Sequence, residues 1–335
     1  MKKIKIGNKL IGERESCFII AEIGLNHNGK LKLAEKLIIE AKRAGADAVK
    51  FQVYRTEKLI RKGDKNFNLF KLLELKDKEW RELSKFAKKL GIVFFPSVFD
   101  EESVDFLDKL GVPLYKIASG DLTYLSLIGY VASKKKPVIL STGGGVIREI
   151  DDAIKTIYST GNKDVILLHC VSSYPTEYRD MNLRAIKMMR ERFRVPVGLS
   201  DHSIGTLIPT VAATLGADVI EKHFTLNRNL PGPDQKLSLT PSEFKEMVEN
   251  IKRAKSSLGS EIKQILKSEI KIMNIARRSI VANKAIPKGT TITRDMIKIV
   301  RPSGGIEAKF INKILGKVTK KNIQDDEIIT RNKIK

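Results

Sequence analysis

Lys32 to Val53 reads KLAEKLIIEAKRAGADAVKFQV. Its first half places Leu33, Leu37, Ile38 and Ala41 at intervals of three and four, the period of an amphipathic helix expected over 32–44. Ala44-Gly45-Ala46-Asp47 then ends that helix, because glycine takes the left-handed backbone on which helices commonly stop. Ala48 to Val53 follows as a short, nearly continuous apolar run, the signature of a strand covered on both faces. The same kind of run recurs at Phe18–Ile23, Val93–Val98, Leu114–Ala118, Pro137–Leu140, Val165–Cys170, Val195–Leu199 and Val219–Phe224. Eight strands with amphipathic segments between them predict a closed, parallel (β/α)8 barrel. An open doubly wound sheet is the alternative, and no Gly-x-Gly-x-x-Gly follows the first strand to support it.

The chain has 335 residues, enough for one large domain and one small one. A barrel domain is expected over 1–270, with a linker starting near 249 inside a long charged, helix-like stretch that ends near Ala276. From 277 to 335 the pattern changes to short strands and turns, with fifteen Lys and Arg against five acids, a net of +10. This segment reads as a small, mostly β, basic domain. The whole chain carries +23, which raises a nucleic-acid partner as a question. The lysines, however, are spread along helices beside acids, as at Glu35, Lys36, Glu40 and Lys42, and aromatics are only 6% of residues, so no stacking surface for nucleic acid is expected. A positive field also suits an anionic substrate. No apolar run approaches the length of a membrane span, and Met-Lys-Lys-Ile-Lys-Ile-Gly-Asn-Lys has no signal-peptide core, so a cytoplasmic protein with no membrane partner is expected. Cys17 and Cys170 read as separate reduced thiols.

In a barrel of this kind chemistry gathers at the C-terminal strand ends. Those positions carry Glu22, Lys50, Gln52, Lys116, Ser119, Asp121, Ser141, His169, Ser172, Tyr174, Ser200, His202, Glu221 and His223. All four histidines of the chain, His27, His169, His202 and His223, fall there. His202 and His223, on neighbouring strands, are the expected ligands of a divalent ion with open positions, such as Mn²⁺ or Zn²⁺, whereas His27 and His169 read as structural. Buried lysines need anionic partners. For Lys50 and Lys116 that partner is a phosphate or carboxylate of the substrate, or else Glu22 or Glu221. Ser119, Ser141 and Ser200 add hydroxyl donors suited to a small phosphorylated acid.

Ala21-Glu22-Ile23-Gly24-Leu25-Asn26-His27-Asn28-Gly29, Lys50-Phe51-Gln52, Lys116-Ile117-Ala118-Ser119-Gly120-Asp121, Gly198-Leu199-Ser200-Asp201-His202, Glu221-Lys222-His223 and Gly232-Pro233-Asp234, in this order, resemble the N-acetylneuraminate synthase family. Ala285-Ile286-Pro287-Lys288-Gly289 and Val300-Arg301-Pro302 resemble its antifreeze-like SAF domain. The resemblance implies a transferase that condenses phosphoenolpyruvate with an N-acetylated amino sugar. Phosphoenolpyruvate would be held by Lys50, Lys116, Ser119, Ser141, Ser172 and Ser200. The metal, Mn²⁺ with Mg²⁺, Co²⁺ or Zn²⁺ as alternatives, would sit on His202 and His223. Gln52, Asp121, Tyr174 and Asp234 would face the sugar, with Arg301 supplied by the partner of a domain-swapped homodimer. The chain departs from the family at Ser172, often Asn or Thr, at Asp121, often Glu, and at Gln235, often His, which leaves the sugar open between N-acetylmannosamine and diacetamido precursors.

Glu22 is the carboxylate placed to act as general acid or base. Two other classes fit some of these residues: a barrel aldolase using the metal, or a Schiff base on Lys50 or Lys116, and a carbohydrate- or ice-binding module on an inert barrel. Release of phosphate from phosphoenolpyruvate separates them.

Overall fold

The computed structural model describes residues 2–335. The chain divides into a unit that ends at Gly259 and a unit of Ser260–Lys335.

The first unit opens with a hairpin, β1 (Ile4–Ile6) and β2 (Lys9–Ile11), which the sequence pattern did not announce. Eight parallel strands follow and close on themselves: β3 (Phe18–Gly24), β4 (Ala48–Val53), β5 (Val93–Val98), β6 (Tyr115–Ile117), β7 (Val138–Ser141), β8 (Val165–Cys170), β9 (Val197–Asp201) and β10 (Val219–His223). The last pairs with the first, His223 standing opposite Glu22. The expected (β/α)8 barrel is therefore the observed one, and strand ends differ from the expected runs by no more than two residues. Helices α1 (Leu31–Arg43), α2 (Thr56–Leu59), α3 (Phe67–Leu73), α4 (Asp77–Leu90), α5 (Glu101–Leu110), α6 (Leu125–Ser133), α7 (Ile147–Ser159), α8 (Arg184–Phe193), α9 (Leu207–Thr214) and α10 (Pro241–Ser257) lie between and after the strands.

Strand alternation sorts each run into two faces. Outward side chains such as Ile19, Val49, Phe51, Ile117, Leu167 and Leu199 pack with Leu37, Leu83, Val104 and Phe244 of the helices. Inward ones form a separate core: Phe18, Ile20, Ala48, Phe95, Leu114, Ile139, Ile166, Leu168 and Val219 fill the barrel, and Ile4, Ile6 and Ile11 of the hairpin join them. The hairpin thus plugs the N-terminal end, and the next inward layer, toward the C-terminal ends, turns polar.

The expected continuous helix from 249 to near Ala276 is not seen. Phe244, Met247, Val248 and Ile251 of α10 are buried against the barrel, so the barrel's last helix runs through the expected linker start and stops at Ser257. A separate short helix, α11 (Ile270–Ala276), belongs to the second unit. That unit also holds the antiparallel pair β11 (Ser279–Ala282) and β12 (Ile297–Val300) around an isoleucine core of Ile280, Ile286, Ile292, Ile297, Ile314, Ile323 and Ile329.

Candidate active site

The polar inward layer opens into a cavity of about 270 Å³. Glu22, Lys50 and Gln52 reach it from β3 and β4, Lys116 from β6, and Ser141 from β7. Ser119, Ser172, Tyr174, Ser200, His202, Glu221, His223 and Asp234 complete the set, so thirteen candidate residues singled out in the sequence meet in one space. Asp121 does not line it: it sits half-buried in the turn after β6. Arg301 lies in the second unit, at the end of β12, exposed and without a carboxylate partner among the described residues.

Two buried lysines and two buried glutamates form the floor. Lys50 Nζ stands 2.9 Å from Glu22 Oε2 and 3.6 Å from Glu221 Oε1, and Lys116 Nζ is 3.6 Å from that same Glu221 oxygen. Lys50 also donates to Ser97 Oγ at 3.1 Å, and Ser200 Oγ donates to Glu221 Oε1 at 2.9 Å. Both lysines are thus compensated by glutamates in a desolvated setting. Burial raises the Glu22 carboxyl above its ordinary range, with Lys50 opposing. Burial would raise Glu221 as well, but Lys116, Lys50 and the Ser200 bond together hold it below its usual range. Burial lowers the Lys116 ammonium, with Glu221 opposing. Ser97 is not among the residues singled out from sequence, whereas Glu221 is anticipated there as a partner of the two lysines, and it stands beside both. Glu221 was legible, since a residue two before His223 on one strand shares its face.

The imidazoles of His202 and His223 lie 5.4 Å apart between ring centroids. His202 Nδ1 is 2.9 Å from the Val171 carbonyl oxygen, which fixes the proton on Nδ1 and leaves the lone pair on Nε2. His223 Nδ1 is buried with no hydrogen-bond partner, and Asp234 Oδ2 is 3.9 Å from it. Burial lowers both histidines below their ordinary range, so both rings are neutral at pH 7. The Tyr174 ring lies against His202, 4.1 Å between centroids. Behind the wall, Lys222 and Asp201 form a fully buried ion pair at 2.5 Å. The other two histidines stand outside the cavity. His27 Nδ1 accepts from the Gly29 amide at 3.1 Å and its ring packs on Phe51 and Trp80, while His169 Nε2 is 2.8 Å from the Met181 carbonyl oxygen.

The site has two sides. Ser97, Ser119, Ser141, Ser172 and Ser200 stand on or just past the ends of β5 to β9, and Gln52, Asp234, Leu25 and Phe70 gather on the side of β10, β3 and β4. A Cβ on Gly24 would stand 3.5 Å from both Asp234 Oδ2 and Gln52 Nε2, which shows how closely these two converge. Leu25 and Phe70 are an apolar contribution that sequence reading missed. Phe70 arrives on α3, part of a long excursion between β4 and α4, and rests on Tyr54 at 5.6 Å between centroids.

Asp121 supplies a stability prediction. Burial raises its carboxyl to about 6, with Lys116 opposing. Between the unfolded value of about 3.9 and that folded value, the native state keeps a proton the unfolded chain has released, so stability falls as pH rises through this window. Asp121→Asn removes the titration. Its melting temperature relative to the parent is expected to rise between pH 4 and 6.5 and then level off; calorimetry that finds a constant difference refutes the assignment.

A closed barrel with paired lysines, paired imidazoles and carboxylates at its C-terminal strand ends defines a (β/α)8-barrel enzyme site. The NeuB family pattern matches residues 37–263 and the SAF domain pattern residues 277–335. An uncharacterised protein of Methanocaldococcus jannaschii is 51% identical, with 98% of each chain covered. An N,N'-diacetyllegionaminic acid synthase of Legionella pneumophila is 42% identical, with 92% of each covered. The crystal structure of N-acetylneuraminic acid (sialic acid) synthetase from Leptospira borgpetersenii, in complex with citrate, matches at 39% identity and a TM-score of 0.77, covering 81% of this chain and 95% of that one. The chain belongs to the NeuB family of sialic-acid-type synthases and carries a C-terminal SAF domain. No helix among the described residues is long and apolar enough to cross a membrane.

Proposed function

We propose that this enzyme joins phosphoenolpyruvate to a diacetamido six-carbon sugar, giving a nine-carbon 2-keto acid and phosphate. The observation that carries the reading is the meeting of Lys50 and Lys116 with His202 and His223 in one cavity. The name of the Legionella relative supports a diacetamido acceptor. The serine side, with Lys50 and Lys116, takes the phosphate and carboxylate of phosphoenolpyruvate through Ser119, Ser141, Ser172 and Ser200. Gln52, Asp234 and Tyr174 orient the sugar, and Asp121 lies outside the cavity wall.

Two neutral imidazoles, one with an orphaned buried nitrogen and the other with its far nitrogen held by a carbonyl, fit a divalent ion with open positions. His202 and His223 would hold it, with Mn²⁺ the first choice and Mg²⁺, Co²⁺ or Zn²⁺ as alternatives. When bound, the ion supplies Lewis-acid polarisation of the sugar aldehyde. In the reaction C3 of phosphoenolpyruvate bonds to the aldehyde carbon, whose oxygen gains a proton and becomes a hydroxyl. Water then adds at C2, and the phosphate leaves with the bridging oxygen as the 2-keto group forms. Glu22, its carboxyl raised by burial, is placed to hold or give the proton these steps exchange.

The test is phosphate release from phosphoenolpyruvate with each candidate sugar, with Mn²⁺ and with excess chelator. Release is expected to need both sugar and metal, and to be at least about tenfold faster with the diacetamido sugar than with N-acetylmannosamine. Turnover in excess chelator sinks the metal assignment. Pyruvate trapped by borohydride without phosphate release replaces the reading with a Schiff-base aldolase.

Arg301 completes the proposal as a residue that a second copy brings to the sugar in a domain-swapped homodimer. Arg301→Ala is expected to raise the sugar KM about tenfold to a hundredfold, a charge-assisted contact of about 1.5–3 kcal/mol, and to leave the phosphoenolpyruvate KM unchanged. Mixed dimers of Arg301→Ala and His202→Ala chains regain activity when the arginine crosses between copies. Mixed dimers that form and stay inactive place it in its own chain.

A further inference from the structure

The loop that carries Asp234 follows β10 and is held by side chains the proposed reaction does not use. Gln235, wholly buried, follows Asp234 in sequence and turns the other way. Its Nε2 donates to the Asn26 carbonyl oxygen at 3.2 Å and to the Pro231 carbonyl oxygen at 3.3 Å, and its Oε1 accepts from Thr225 Oγ1. Asn26, also wholly buried, donates from Nδ2 to the Phe224 carbonyl oxygen and to Ser238 Oγ, each at 2.9 Å. Ser238 Oγ in turn donates to the Asp234 carbonyl oxygen at 2.6 Å. Three segments are thereby joined: the turn after β3, the end of β10, and the loop of 231–238. Gly232 tightens the joint, since at φ +141° its missing Cβ would stand 3.0 Å from Asn28 Oδ1 and 3.2 Å from the Gln235 side chain.

We propose that Gln235 is a positioning residue for the acceptor sugar: its primary amide fixes the loop so that the Asp234 carboxylate stands beside Gln52 and His223. The inference rests on the function proposed above and deepens it. The buried amide uses both its donors and its acceptor on backbone and hydroxyl groups of three different segments, so an apolar side chain of equal length keeps the volume and loses the registration. Asp234 reaches the cavity from the connection of 224–240 between β10 and α10, whose one helical element is a single 3-10 turn, Gln235–Leu237. A displacement of about an ångström at such a contact is enough to cost a large factor in rate or affinity.

Gln235→Met, with Asp234→Ala and the double variant, tests this by steady-state kinetics. Gln235→Met is expected to raise the sugar KM about tenfold with the phosphoenolpyruvate KM unchanged. In the double variant the two effects are expected to coincide, the sugar KM matching that of Asp234→Ala alone. A merely structural role lowers the active fraction, and so kcat, without this split, and that outcome overturns the proposal, as does additivity in the double variant. Should Gln235→Met fail to fold, Thr225→Val removes the hydroxyl that donates to Gln235 Oε1 and that also accepts from the Asn227 amide at 3.2 Å. It is expected to raise the sugar KM about threefold, and no change there refutes the role of the amide. A parent enzyme that releases no phosphate with any sugar instead overturns the proposed function itself, so the two failures are separable.

Discussion

His202→Ala and His223→Ala are each expected to lower phosphate release from phosphoenolpyruvate by about a thousandfold or more, because on the proposed reading they hold the ion that polarises the aldehyde, a contribution of several kcal/mol. The barrel is expected to survive. Neither ring is part of the apolar core, and His223 Nδ1 has no partner to lose. Calorimetric titration with Mn²⁺ gives a readout independent of turnover: the parent binds about one ion per chain, and each variant loses that binding or weakens it by at least about a hundredfold. Variants that keep Mn²⁺ affinity while losing turnover move the metal elsewhere and give the imidazoles a proton-transfer role.

Lys116→Ala is expected to raise the phosphoenolpyruvate KM about tenfold to a hundredfold, with the sugar KM unchanged, since on the proposed reading it removes a charge-assisted contact worth about 1.5–3 kcal/mol. It also leaves Lys50 alone to compensate Glu22 and Glu221, all deeply buried. Breaking a buried pair costs about 3–5 kcal/mol of stability, so the melting temperature is expected to fall as well. Glu221→Gln added to Lys116→Ala neutralises the stranded carboxylate. It is expected to recover most of the melting temperature and none of the phosphoenolpyruvate KM. Recovery of both refutes the lysine as a substrate contact and leaves it a structural counter-ion.

The lysines show how far sequence reading reached. Lys50 and Lys116 were legible as strand-end cations needing an anion, and both anticipated partners, glutamate and substrate, are compatible with one geometry. Glu221 was legible as one possible partner, but that it serves both lysines depends on the register that sets it opposite Ser200 and within reach of two strands distant in sequence. Phe70 was illegible: a short helix within an excursion has no periodicity that points at a cavity. Asp121 was placed by resemblance to a motif, and the turn after β6 takes it out of the cavity wall.

The sequence by itself determined the barrel, since alternating apolar strands and amphipathic helices can bury their faces together in few ways, and it determined which polar residues gather at one end. Only the tertiary structure decided which of these face one another. Closing the sheet brings β10 against β3, so that His223 meets Glu22 across some 200 residues of chain. It also decided that the N-terminal hairpin plugs the barrel and that α10, not a linker, occupies 249–257. Local sequence carries period and propensity, whereas the pairing of distant residues is fixed only when the shared core is packed.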